Sequence, residues 1–254
     1  YLMDCHLRLN TISTYMRMLR CIYNRGVDMH QTPYVHRMFR DVFTGIDTRQ
    51  KKAIPINELH TLLNEDPQSD KLRRTQAIAN LLFLFCGMPF VDLAYLEKSN
   101  LEGNMLKYNR AKTGIPMNVE ILDSAATIIS QLRNMHTTVL PEHPDYLFYI
   151  LSGKNKRSDE AGYKEYQSAL RCFNNDLKSL ARKLCIRSSV TSYTFRHSWA
   201  TTAKYRGVPI EMISESLGHK SIKTTQIYLK GFELSERTKV NRLNYSYVMN
   251  FKTI

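Results

Sequence analysis

Between Leu101 and Val119 the apolar spacing of this chain changes from the three-and-four rhythm of helices to a period of two, and that change sets the fold class. Met105–Asn109 and Ile115–Val119 read as strands joined by Arg110-Ala-Lys-Thr-Gly114, with Leu101-Glu-Gly-Asn-Met105 as a turn between strands before them. Lys112 therefore falls on or beside a hairpin tip. On both sides the pattern is helical. Helices are expected over Thr11–Tyr23 after an Asn10 cap, over Tyr34–Val42, from Ile56 to near Leu63, and over Leu72–Phe85, Glu120–Arg133 and Tyr163–Leu184. Further helices are expected over Ser192–Arg206, from Pro209 to Leu217 with Gly218 as its cap, and from a Ser221 cap through Tyr228. Leu147–Leu151 reads as a short buried segment, and the tail from Ser235 to Ile254 as partly helical. The expected fold is mainly α with a small antiparallel sheet.

The stretch from Thr44 to Pro55 is polar, basic and punctuated by Gly and Pro, the composition of a linker. It divides the chain into a helical region 1–45, a linker 46–55 and a larger domain 56–254. The first two expected helices do not make a self-sufficient core, and the chain begins with Tyr, so a segment preceding Tyr1 is expected.

Charge narrows the partner. Thirty-six Lys and Arg against 23 Asp and Glu leave +13, which favours a polyanion through steering and counterion release. Charge alone does not separate nucleic acid from an anionic membrane surface. The longest apolar run, Ile78 to Met88, is broken by Asn80 and is too short to span a bilayer, so no membrane partner is expected. Five cysteines with no C-x-x-C pair indicate neither a disulfide scaffold nor a structural zinc site, and suggest a reduced, cytoplasmic protein. No carboxylates stand at ligand-like spacing, so neither metal nor cofactor is expected.

The last third concentrates the chemistry. Cutting a phosphodiester without a metal needs a nucleophile, cations at the non-bridging oxygens and a proton donor for the leaving oxygen. Tyr193, Arg196, His197, His219 and Tyr228 supply such groups within a short span. Taken singly, each has an ordinary explanation: a surface arginine, a turn histidine, one tyrosine among 15.

Their order resolves this. R-H-S-W-A-T from Arg196, then L-G-H ending at His219, then T-T-x-x-Y with Tyr228 nine residues beyond that His, resemble the catalytic core of the tyrosine recombinases, or phage-type integrases. The resemblance is closest to integrases of Bacteroides-type mobile elements. It implies a tyrosine recombinase catalytic core preceded by part of a helical core-binding domain. It also implies site-specific DNA recombination, integrating or excising a mobile element through a 3′-phosphotyrosyl intermediate. By resemblance, Tyr228 is the nucleophile, Arg196 and His219 support the phosphate, and Lys112 in A-K-T-G is the general acid. Tyr193 stands where the family's H-x-x-R motif has His; it can donate a hydrogen bond but serves less readily as a base near neutral pH.

One departure matters. Leu81 to Leu96 is similar to the family segment that carries its first catalytic arginine, yet the two positions where that arginine is expected hold Cys86 and Pro89. Asp92 matches the acidic residue that braces the site. Either another cation fills in, with Arg73, Arg74 and Arg110 as candidates, or the chain is a catalytically impaired DNA-binding member of the same fold. DNA contacts are expected from Arg17 and Arg20 on the first helix, Lys51 and Lys52 in the linker, and Lys154, Lys156 and Arg157 in the basic loop 152–159. The implied partners are double-stranded DNA, a homotetramer on two duplexes in which the segment after Gly231 docks on a neighbour, and accessory DNA-bending proteins. The implied location is the bacterial cytoplasm, at the nucleoid when bound.

Overall fold

The computed structural model describes residues 2–45, 53–134, 146–152, 154–155, 157–229 and 234–250, and divides into two compact units, Tyr1–Lys51 and Lys52–Ile254. The expected linker 46–55 lies outside the described residues up to Lys52. The architecture is mainly helical with one small antiparallel sheet.

In the first unit, helix α1 (Leu9–Asp28) is longer than the apolar pattern suggests. Arg8, not Asn10, holds the N-cap; Asn10 lies inside the helix and its carbonyl accepts the Thr14 hydroxyl. Of the expected apolar face, Ile12 is buried while Tyr15, Leu19 and Ile22 are exposed. The buried Ser13 hydroxyl donates to the Gly45 carbonyl at 2.6 Å. The helix expected over Tyr34–Val42 does not form, and the stretch runs as turns and bends. Two local features displace it. The Tyr23 hydroxyl accepts the Val35 N–H and donates to the Pro33 carbonyl, and Arg37 sits at φ +56°, which no right-handed helix tolerates.

The second unit runs α2 (Ile56–Asn64), α3 (Asp70–Leu84), α4 (Phe90–Ala94), β1 (Leu101–Glu102), β2 (Met105–Asn109), β3 (Pro116–Glu120), α5 (Asp123–Asn134), α6 (Glu160–Lys183), α7 (Ser192–Tyr205), α8 (Ile210–Ser216), α9 (Ile222–Tyr228) and α10 (Leu234–Met249). The strands pair in the order β1-β2-β3, with Leu106 opposite Val119, and both point into the core. Helix α3 turns Ile78, Leu81 and Leu82 inward at helical spacing and packs against α5, α6 and α7. The α6 seam of Phe173, Leu177 and Leu180 joins Phe195 of α7 in the same core, each side chain contributing about 1.5–3 kcal/mol by leaving water. Pro89 starts α4, whose Phe90 stacks on Phe173 with ring centroids 4.7 Å apart. Leu147, Phe148 and Leu151 are buried as their apolarity suggests.

A second, smaller core of Ala200, Ile213, Leu217 and Leu229 ties α7, α8 and the residue after α9 together. It fixes α9 relative to the end of α8. Among the described residues no helix is long and apolar enough to cross a membrane, and all five cysteines are free thiols.

Candidate active site

Arg196 enters the site from the second turn of α7. Thr191 and Thr194 cap that helix reciprocally, the Thr191 N–H donating to Thr194 Oγ1 at 2.9 Å. Arg196 is 2% exposed, and its fork is anchored at two carbonyls: Nη1 donates to Gly87 at 3.0 Å and Nη2 to Leu217 at 2.6 Å. These come from stretches far apart in the sequence, the turn after α3 and the C-terminus of α8. The turn after α3 needs two successive left-handed residues, Cys86 at φ +54° and Gly87 at φ +67°. A Cβ on Gly87 would stand 2.9 Å from Arg196 Cα, so only glycine lets α7 approach.

The same Leu217 carbonyl receives a second guanidinium. Arg110 leaves the end of β2 and donates through Nε to Leu217 O at 3.4 Å and through Nη1 to Asp92 Oδ2 at 2.6 Å. Asp92 also accepts the Ala111 N–H through Oδ1 at 2.9 Å, so α4 holds the start of the hairpin turn. This ion pair is buried, with side-chain exposures of 8% for Arg110 and 1% for Asp92. Nη2 of Arg110 makes no hydrogen bond among the described residues. Thr113 Oγ1 ties the turn to the end of α8 by donating to the Gly218 carbonyl at 3.1 Å. Gly218 itself sits at φ +63°, and a Cβ there would meet Met117 Sδ at 2.8 Å and Arg110 Cδ at 3.2 Å.

His219 follows directly. Its Nε2 lies 3.2 Å from Arg196 Nη2, and its Nδ1 lies 2.8 Å from the hydroxyl of the fully buried Thr225. Burial first, and then the charges of Arg196, Arg110 and Lys112, push the His219 imidazole down to about 4, so it is neutral at pH 7. Burial likewise raises the Cys86 thiol, and burial together with the Asp92 charge raises the Tyr108 phenol on β2. An open cleft of about 640 Å³ lies against His219, Lys220 and Ser221, with Cys86 on its wall. Two arginines, one lysine and a single carboxylate leave this corner positively charged, fit for an anion with oxygens to share.

The structure therefore brings Arg196, His219, Arg110 and Asp92 together, with Lys112 in the exposed hairpin turn close enough for its charge to act on His219. Tyr228 is the last residue of α9, three residues after Thr225, in a helix whose cap is Ser221 Oγ accepting the Lys223 N–H. Tyr193, one turn before Arg196, is 39% exposed and meets His197 edge to face at 5.0 Å. The other two candidate cations are engaged elsewhere. Arg73 is an exposed partner of Asp66 and Asp70, and Arg74 donates to the Tyr149 carbonyl at 2.9 Å. Arg17, Arg20 and Lys154 are exposed, and Arg157 lies 4.8 Å above the Tyr95 ring. Lys51, Lys52 and Lys156 lie outside the described residues. Thr113 and Thr225 were not among the expected site residues; T-T-x-x-Y contains Thr225, but only the contact with His219 shows its use. Among the described residues no cluster of three or more His, Cys, Asp or Glu is placed to hold a metal ion.

Residues 52–233 match the phage integrase family. The chain is 30% identical over 195 residues to the tyrosine recombinase XerA of Pyrococcus furiosus, covering 76% of this chain and 62% of that protein. It is 23% identical over 223 residues to a tyrosine recombinase of Thermosipho africanus, covering 87% of this chain and 68% of that protein. The chain thus spans about two thirds of these relatives. Among solved structures, XerH recombinase bound to a palindromic difH substrate superposes with a TM-score of 0.69 at 16% identity, over 97% of this chain and 69% of that one.

Proposed function

The chain belongs to the phage integrase family, the tyrosine-type site-specific DNA recombinases, and from that premise we propose that it breaks and rejoins DNA through Tyr228. Tyr228 attacks the scissile phosphate, forming a 3′-phosphotyrosyl bond and expelling a 5′-hydroxyl that takes its proton from Lys112. A 5′-hydroxyl of the partner strand reverses the step. Phosphodiester energy is kept in the covalent link, so the exchange needs no external energy source.

The arginine pair sharing the Leu217 carbonyl carries this reading. Arg196 is one clamp on the non-bridging oxygens. Arg110 fills the role left empty at Cys86 and Pro89: it reaches the same carbonyl as Arg196, Asp92 holds it, and its Nη2 remains for a phosphate oxygen. That second guanidinium favours an active enzyme over an impaired DNA-binding member of the fold. Tyr193, exposed and one turn before Arg196 on α7, adds a hydrogen-bond donor.

The partner is double-stranded DNA. The 1–45 region acts as part of a core-binding domain that contacts DNA through Arg17 and Arg20, 46–55 as the linker, and 56–254 as the catalytic domain. Helix α10 exposes Val240, Leu243, Tyr245 and Val248, an apolar set suited to docking on a neighbouring protomer of a tetramer. By its resemblance the chain comes from a Bacteroides-type mobile element, with accessory DNA-bending proteins as further partners and the bacterial cytoplasm as its place. The test is a nicked suicide duplex, which traps the covalent complex by letting the cleaved fragment diffuse away. The wild-type chain forms a denaturant-stable adduct and Tyr228→Phe forms none; tight binding without adduct from the wild-type chain would overturn the proposal.

A further inference from the structure

The imidazole of His219 is held from both sides, and the two bonds together determine where its proton sits. Arginine has only donors, so the contact of Arg196 Nη2 with His219 Nε2 at 3.2 Å requires a lone pair on Nε2. The proton is then on Nδ1, and the Thr225 hydroxyl accepts it at 2.8 Å. Thr225 is wholly buried in α9, the helix that ends at Tyr228.

We infer that Thr225 is a positioning residue that locks His219 in the Nδ1–H tautomer, so that the Nε2 lone pair accepts the proton Tyr228 gives up. The inference rests on the recombinase reading above. It also answers a deficit of this sequence: Tyr193 occupies the position of the motif's histidine and has no lone pair suited to this task near neutral pH. In the forward step the Tyr228 O–H bond breaks and its oxygen forms the bond to phosphorus. The P–O5′ bond breaks, Lys112 Nζ protonates the leaving oxygen, and the phenolic proton rests on Nε2. Ligation returns both protons. Phosphate oxygens compete for the Arg196 N–H that caps Nε2 in the unbound site. Their negative charge also offsets Arg196, Arg110 and Lys112, three of the influences that hold the imidazole's basicity down after burial. DNA thus both uncovers the base and strengthens it.

The experiment is long-range ¹H–¹⁵N spectroscopy of the histidine side chains in the whole DNA-free chain, with His219→Gln assigning the signal. The wild-type ring shows the Nδ1–H pattern, Thr225→Val shifts it toward Nε2–H, and Thr225→Ser, which keeps the hydroxyl, retains it. An Nε2–H ring in the wild type, or no change in Thr225→Val with its fold intact by thermal melting, overturns the inference. With suicide duplex, Thr225→Val slows adduct formation on the order of tenfold at unchanged DNA affinity and Thr225→Ser recovers it, a smaller loss than the roughly 10²–10⁴-fold of removing an acid–base group outright. An unchanged rate in Thr225→Val also overturns it. A wild-type chain with the expected tautomer but no adduct refutes the recombinase reading instead, so the two failures are distinct.

Discussion

Replacing Arg110 by lysine separates charge from geometry at the site. Arg110 holds Asp92 through Nη1 at 2.6 Å and the Leu217 carbonyl through Nε at 3.4 Å, and one ammonium cannot do both while also meeting a phosphate. The charge opposite Asp92 survives, so folding loses only the hydrogen bond to Leu217 and some geometry, about 1–2 kcal/mol. For a chain of this size that lowers the melting temperature by about 2–8 °C, at roughly 2–4 °C per kcal/mol. Catalysis loses much more if Arg110 is a clamp: a missing donor to the developing charge costs about 2.7–4 kcal/mol, or 10²–10³ in rate. Asp92→Asn provides the contrast. It keeps the shape and an acceptor for the Ala111 N–H but leaves a buried guanidinium uncompensated, a stability loss of about 3–5 kcal/mol. The assay pairs thermal melting with single-turnover adduct formation on the suicide duplex. Arg110→Lys that melts within this range yet forms adduct within about threefold of wild type would refute the placing of Arg110 on the phosphate.

Three other outcomes are expected. Gly87→Ala forces a left-handed alanine and a Cβ 2.9 Å from Arg196 Cα, so it destabilises by more than the ~1–2 kcal/mol of the backbone strain alone and lowers adduct formation, read by thermal melting and the suicide assay. His219 titrates near 6.5 when unfolded and about 4 when folded, so the unfolded chain takes up the proton first. Its contribution to stability is present above pH 6.5 and lost as pH falls toward about 4; denaturant midpoints across that window show a shallower slope in His219→Gln. Removing Arg17 and Arg20 together weakens DNA binding and reduces the steepness of the log K versus log salt line by about one unit per lost phosphate contact, measured by fluorescence anisotropy.

What could be read from the chain alone was what rests on local periodicity and short motifs. The hairpin around Lys112, the Ser221 cap and the core seam of α6 are set by neighbours a few residues apart, and they form as the spacing suggests. The stretch Tyr34–Val42 misleads for the same reason. It imitates a helix, while hydrogen bonds from Tyr23 and a left-handed Arg37 decide the backbone. Arg110 stood in the sequence as one of three candidate cations. Only the fold separates them, because its partners Asp92 and Leu217 are 18 and 107 residues away. Thr225 is only six residues from His219, but their contact crosses the turn between α8 and α9 and depends on how the small Leu217–Leu229 core sets that turn.

The central claim is that Tyr228 becomes covalently joined to DNA, and peptide mapping of the trapped complex tests it most directly. After protease digestion and nuclease trimming, mass spectrometry should find a nucleotide linked through its 3′-phosphate to the peptide containing Tyr228, with a free 5′-hydroxyl on the released strand. A link to another residue, or a 5′-phosphate linkage, would contradict the account.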